Sequence, residues 1–300
     1  MIAIDLGSNT LRVLKYDCDT KQKLFSFQKM VKTADKVKQT KNISDTSIIK
    51  IIDAIKEVQK LISFENEKVV AVTTAAMRMA ENSNDVILKI FNQTGVKFEI
   101  IDGDFEAYLT FKAVYEALHE KFNHHDDFIL IYIGGGSTEV VISSNSKFIS
   151  KSFDLGIVTL SQKYHDVNLL KESINHEMVE IKEFFKTVNI KPKLFVANSG
   201  TPTTIAAMKL GMNYYNYDEK RVSGTVLTVE DINNQLEILL SSSKERREQL
   251  VGIGRDDLII AGVNIFLNLL EIANFKESFI IDEGLREGVA IEYCKNLTKK

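Results

Sequence analysis

The sequence predicts an α/β protein of two related domains, and three observations carry that prediction. Short apolar runs of strand length alternate with amphipathic stretches of helical period. A strand–turn–strand opening occurs twice, at residue 2 and again near residue 128. Each copy places glycine and hydroxyl residues in its turn. A length of 300 residues exceeds the usual single domain, so two domains sharing a cleft are expected.

Taken in order, residues 2–4 and 11–16 read as strands around a tight polar turn. Residues 29–41 are Lys-rich and weakly apolar, a strand followed by an exposed loop. A helix starts at Ser44 or Asp45, with Ile48, Ile51, Ile52, Ile55, Val58 and Ile62 at helical spacing. Strands at 69–73 and 98–101 enclose an amphipathic helix near 86–91, giving β-α-β, and 105–122 is helical in period. Residues 128–133 form the most apolar strand, entering a triple-glycine turn, and 140–143 and 148–153 complete a meander. Beyond residue 158 helices dominate, interrupted by strands at 194–197 and 279–281. The polar stretch 123–127 is the expected hinge, dividing the chain into domains 1–122 and 123–300, with the final helix able to pack back on the first.

Bulk composition excludes several classes. Apolar residues make up 44% and charged residues 26%, as in an ordinary globular protein. The 38 Lys and Arg against 41 Asp and Glu argue against a nucleic-acid binder, so positive charge for an anionic substrate must be local. No apolar run is long enough to span a bilayer, and residues 1–5 carry no leader signature. Cys18 and Cys294, far apart and outside any CxxC spacing, read as isolated thiols of a reducing, cytoplasmic compartment.

Three motifs carry chemistry. Asp5-Leu6-Gly7-Ser8-Asn9-Thr10 ends a strand in a carboxylate and turns through small polar residues, presenting amide groups as an anion nest, with Asp5 available to a divalent cation. Gly134-Gly135-Gly136-Ser137-Thr138-Glu139 repeats the pattern: glycines admit a tetrahedral group, Ser137 and Thr138 add donors, and Glu139 is a second carboxylate. Two such hairpins facing each other form a phosphate clamp. Ser199-Gly200-Thr201 precedes a helix, where an anion or simple capping is equally served.

These motifs, in this order, resemble the exopolyphosphatase and guanosine pentaphosphate phosphohydrolase family. The likeness continues through Thr73-Thr74-Ala75-Ala76-Met77-Arg78, Asp102-Gly103-Asp104-Phe105-Glu106-Ala107, Arg255-Asp256-Asp257, Ala261-Gly262 and Asp282-Glu283-Gly284-Leu285-Arg286-Glu287-Gly288. It implies the actin-like ATPase (ribonuclease H-like) fold, two duplicated domains with an interdomain cleft. It implies hydrolysis of a phosphoanhydride, in inorganic polyphosphate or guanosine pentaphosphate, by water with Mg²⁺ or Mn²⁺. By the same likeness Glu106 is the general base and Arg78 neutralises phosphate. Asp5 and Glu139 serve the metal, and the glycine turns hold phosphate. A homodimer is implied by family likeness only; neither nucleic acid nor membrane is an expected partner.

The sequence departs from the family pattern at three positions. Tyr132 stands where the family places Asp, and a neutral phenol is no hard-cation ligand, leaving Asp5, Glu139 and Asp104 for the metal. Phe105 replaces a common acidic residue and Thr159 a frequent Arg. A degenerate site that binds without turnover is the alternative that Tyr132 motivates. Lys29, Lys32, Lys36, Lys38 and Lys41 read mainly as solvated surface, and His119, His124, His125 and Asp126 lack ordered metal spacing.

Overall fold

The computed structural model describes residues 1–124, 127–144, 147–164, 166–188 and 190–297. The chain forms two compact units, residues 1–113 with 283 onward, and residues 114–282. The sequence predicts one boundary at 122/123 with the final helix able to return to the first domain; the chain passes between the units at 113/114 and 282/283. His125 and Asp126, in the expected hinge, lie outside the described residues.

The first unit opens with β1 (Ile2–Leu6), β2 (Thr10–Asp17) and β3 (Gln22–Met30), followed by α1 (Val37–Thr40) and α2 (Asp45–Leu61). Next come β4 (Val69–Thr73), α3 (Ala75–Met79), α4 (Ser83–Thr94), β5 (Phe98–Ile100) and α5 (Gly103–Glu116), whose last turn enters the second unit. The sheet order is β3-β2-β1-β4-β5, with the first three antiparallel and β1, β4 and β5 parallel. All of β1 is buried because neighbours flank it on both edges and its faces are covered, which explains its apolar sequence. Helix α2 starts as expected: Ser44 accepts from Ser47 N at 3.2 Å, and Ile48, Ile51, Ile52, Ile55 and Val58 are buried. The strand expected to begin at Lys29, ahead of an exposed loop, instead runs from Gln22 to Met30. Strand β3 is an edge strand, half exposed along its length, so backbone pairing rather than apolar alternation defines it.

The second unit begins at Val114 in the last turn of α5, which passes into a π-helical turn at Ala117–Lys121. It contains β6 (Phe128–Ile133), β7 (Thr138–Ser144), β8 (Lys147–Phe153), α6 (Ile157–Lys163), α7 (Val167–Glu177) and α8 (Val179–Thr187). After them come β9 (Leu194–Asn198), α9 (Gly200–Lys209), α10 (Glu219–Val222), β10 (Val226–Thr228), α11 (Val229–Ser241), α12 (Lys244–Val251), α13 (Asp256–Ile272) and β11 (Glu277–Ile280). Read from the meander outward, the sheet runs β8-β7-β6-β9-β11-β10. Its first five strands repeat the order of the first unit, a three-strand meander followed by two parallel strands, so the duplication is real at the level of topology. The additional edge strand, β10, has only three residues and left no periodic signal.

The closing helix α14 (Leu285–Leu297) belongs to the first unit. Leu285, Val289 and Ala290 pack with Ala3, Leu14, Val72, Ile101 and Leu109. Each fully buried Leu or Val contributes about 2 kcal/mol. A Cβ on Gly288 would lie 1.9 Å from the Leu109 carbonyl oxygen, so only glycine allows this approach. Cys18 and Cys294 are not isolated thiols: they form a disulfide with Cα atoms 5.3 Å apart. The fold brings together residues 276 apart, which spacing along the chain does not reveal, and the argument for a reducing compartment falls with it. Among the described residues no helix is long and apolar enough to cross a membrane.

Candidate functional site

Both glycine turns are hairpins whose carbonyls are taken up from one side. In the first unit Gly7 N bonds the Thr10 carbonyl at 3.0 Å, closing the turn between β1 and β2. Val31 N and Lys32 N then both donate to the Asn9 carbonyl, and Ala34 N donates to the Ser8 carbonyl at 2.7 Å. In a trans peptide the N–H points opposite to the C=O, so the amides of Asn9 and Thr10 face away from the 31–34 segment. The second unit repeats the device. Gly134 N bonds Ser137 O at 2.8 Å, and the first amides of α6 reach back, Ile157 N to Gly134 O and Val158 N to Gly135 O. The amides of Gly135 and Gly136 are thereby turned away from α6. Consecutive N–H groups directed to one side form the nest expected for an anion.

Gly156, not singled out in the sequence, makes this second turn possible. A Cβ there would sit 2.4 Å from Gly135 O and 2.5 Å from Gly136 N, both backbone atoms. The hydroxyls are partly committed elsewhere. Thr138 Oγ1 donates to Leu155 O at 2.5 Å, and Ser8 and Ser137 are buried.

The third turn joins β9 to α9. Ser199 takes a φ of 98°, a strained position for a side chain, and its Oγ accepts from Ile133 N at 3.2 Å, tying this turn to the end of β6. Thr201 Oγ1 points toward Gly262 of α13, where an added Cβ would lie 2.2 Å from it. The Thr201 side chain thus packs α9 on α13, and what Gly200 and Thr201 offer an anion is main chain.

Two parallel strands of the first unit place the expected catalytic pair. Strands β4 and β5 are neighbours, so the segments leaving their C-terminal ends are neighbours too, the usual position of sites in such sheets. Arg78 lies in the last turn of α3 after β4, and Glu106 stands in the first turn of α5 after β5. Arg78 Nη1 lies 3.0 Å from Glu106 Oε2 and 2.8 Å from the Ile101 carbonyl. Glu106 is 3% exposed, whereas Asp104 beside it is exposed. Asp102 sets the turn by accepting from Phe105 N at 2.7 Å.

Asp5 is buried at the end of β1, and burial pushes its carboxyl up to about 6 from 3.8. Arg12 and Arg286 oppose that shift, and Glu287 adds to it. Arg12 Nη1 lies 3.6 Å from Asp5 Oδ2. A hairpin turning at 7–10 must pair residue 5 with residue 12, so this partner had a signal in the sequence. Arg286 and Glu287 lie in a segment that the family likeness covers, but spacing along the chain does not link them to Asp5, because α14 reaches it through tertiary folding. Glu287 caps α14 by accepting from Gly284 N at 2.8 Å and pairs with Arg286 Nε at 2.8 Å.

In the second unit Glu139 is buried, accepts from Ser152 Oγ at 2.9 Å and lies in register with Tyr132. Asp5 and Glu139 belong to different units, and each is a buried carboxylate. Asp5 Oδ1 is buried without a hydrogen bond, and among the described residues no three His, Cys, Asp or Glu side chains form a cage. A single buried carboxylate of this kind suits a hard divalent cation that keeps most of its waters.

The repeated sheet defines an α/β protein of the actin-like ATPase architecture, with consecutive amides of each glycine turn directed to one side. The chain belongs to the Ppx/GppA phosphatase family, whose model matches residues 15–297. It is 27% identical over 301 residues to a bifunctional 3-dehydroquinate synthase/phosphatase of Fusobacterium nucleatum, covering 93% of this chain but only 44% of that protein. It is 25% identical to exopolyphosphatase 2 of Mycobacterium tuberculosis, covering 96% and 97% of the two chains. The crystal structure of the Aquifex aeolicus Ppx/GppA family member is 27% identical, with a TM-score of 0.76 and coverage of 100% and 98%.

Proposed function

We propose that this protein is an exopolyphosphatase, releasing terminal orthophosphate from inorganic polyphosphate by attack of water. The ion pair of Arg78 with buried Glu106, at the C-terminal ends of adjacent parallel strands, carries the proposal. Phosphoryl transfer asks for little covalent help; it needs positioned water, neutralised charge and a donor-rich cradle. The Glu106 carboxylate accepts the proton of the attacking water. Arg78 spends Nη1 on Ile101 and Glu106, so the other donors of its fork are left for a phosphoryl oxygen. The amides of Asn9 and Thr10, and those of Gly135 and Gly136, hold phosphates of the chain. Asp5 and Glu139 are each assigned to metal binding, where Mg²⁺ or Mn²⁺ would supply charge neutralisation on phosphate oxygens.

Guanosine pentaphosphate presents the same terminal phosphoanhydride and is the second substrate under the family reading, with turnover measured beside polyphosphate ranking the two. A binder with a degenerate site is not favoured, because the matching family is one of phosphatases and a relative similar over nearly its whole length is named an exopolyphosphatase. The test is orthophosphate release from polyphosphates of defined length with Mg²⁺ or Mn²⁺. Glu106→Gln, which keeps shape but cannot take the proton, should lose about 10²- to 10⁴-fold in turnover. No release at any chain length, or a fully active Glu106→Gln, would sink the proposal.

A further inference from the structure

The disulfide joins two points of the first unit that the chain separates by 276 residues. Cys18 directly follows β2, and Cys294 lies toward the C-terminal end of α14. The two sulfurs differ in surroundings. Cys294 is 9% exposed and packs in the apolar cluster with Tyr16 and Val289. Cys18, partly buried against the same cluster, also lines a cavity of about 340 Å³, whose walls include Lys15, Asp17, Glu67, Lys68 and Tyr293. Walls carrying charges of both signs keep such a cavity wet and open to a small polar thiol.

The helix has other anchors. Glu292 bonds Tyr108 Oη at 3.1 Å and pairs with Lys112, and Gly288 sits against the Leu109 backbone. These hold the middle of α14, while Arg286 and Glu287 occupy its other end. The covalent bond therefore bears on the last turn of the helix and on the joining of the distant segments of this unit.

We propose that Cys18–Cys294 is a redox site, opened by a dithiol reductant that enters through the cavity and attacks Cys18. The reductant thiolate forms a bond to Cys18 Sγ as the Cys18–Cys294 bond breaks. The electron pair leaves on Cys294 Sγ, which takes up a proton. The second thiol of the reductant then displaces Cys18, so the protein gains two electrons and two protons and the reductant leaves as its own disulfide. Opening the bond frees the unfolded chain from a very long closed loop and lowers the stability of this unit. The non-covalent anchors keep Arg286 and Glu287 in place, so the folded protein keeps its site.

The experiment uses the full chain, purified with an alkylating agent present and no reductant. Peptide mapping without reduction should link the Cys18 and Cys294 peptides. Reduction should lower Tm by roughly 5 °C or more. Cys18→Ser/Cys294→Ser should melt like the reduced protein and ignore reductant. Brief exposure to glutathione followed by an acid quench should leave the mixed disulfide on Cys18. Two alkylated thiols that persist after mild oxidation, equal Tm values in both redox states, or glutathione found on Cys294 would each overturn the proposal. The comparison of oxidised with reduced wild type decides the question even if the double variant does not fold, and none of these readouts depends on the phosphohydrolase reading.

Discussion

Arg78 and Glu106 meet at 3.0 Å although 28 residues separate them, and the same Arg78 nitrogen holds the Ile101 carbonyl at 2.8 Å. One guanidinium therefore ties the end of β5 to the first turn of α5 and fixes the carboxylate that we assign as base. The geometry depends on a planar fork, which a lysine ammonium does not reproduce.

Arg78→Lys should accordingly keep the fold and lose about 10²-fold in kcat/KM for polyphosphate. Steady-state phosphate release beside a thermal melt measures both quantities. Wild-type kinetics in a properly folded Arg78→Lys would mean that Arg78 does not touch the phosphoryl group.

The pH dependence of stability should show two groups of opposite sign. Burial raises Asp5 to about 6, so the folded state holds this proton more tightly than the unfolded chain. Its contribution is present below about 4 and is lost as pH rises from about 4 through 6. Burial alone would raise Glu287, but Arg286, Lys23 and the Gly284 amide outweigh it and hold the group at about 2. Its contribution is present above about 4.5 and is lost as pH falls toward 2. In chelator, Asp5→Asn should therefore stabilise the protein at pH 7 by about 3 kcal/mol, with no gain at pH 4. Denaturation at the two pH values provides the check; equal effects at both would contradict the assignment to Asp5.

Tyr132 is 8% exposed and in register with Glu139 on one side and Asn198 on the other. Tyr132→Asp would set a second carboxylate beside Glu139, unfavourable without a cation and favourable with one. The variant should melt lower than wild type in chelator and recover on adding Mg²⁺ or Mn²⁺. Its metal concentration for half-maximal activity should fall by roughly tenfold. Unaltered metal dependence would place the cation away from Glu139.

Gly156→Ala tests the second phosphate turn without touching a proposed ligand. The new Cβ meets backbone at 2.4 Å, so the Gly135–Gly136 peptide must move. Displacement on the ångström scale should raise KM for polyphosphate and lower kcat/KM by at least about tenfold. If the protein folds with unchanged KM, the Gly135 and Gly136 amides are not the cradle.

Much of the fold was legible in the chain. The apolar strand 128–133, the isoleucine spacing of α2 and the repeated glycine turns each reflect local demands, namely burial of a strand, one buried helix face and close backbone approach. Asp5 has a local signal, a carboxylate ending a strand before a small-residue turn, whereas Glu106 and Arg78 are proposed through the family likeness, because an acid in a first helical turn or a base in a last one is ordinary on local grounds. Edge strand β3 was misplaced because backbone pairing, not apolar periodicity, holds it. Gly156 gave no signal because its need is set by Gly135 and Gly136, which reach it through space.

The sequence by itself determined the α/β class, the duplication and the residue types of the site, since these follow from periodicities and turns a few residues long. Only tertiary structure decided that α14 returns to the first unit, that Arg286 and Glu287 set the field at Asp5, and that Cys18 finds Cys294. Those relations join residues hundreds of positions apart, and their energies arise from burial and Coulomb interaction at contact distances, which exist only once the chain has folded.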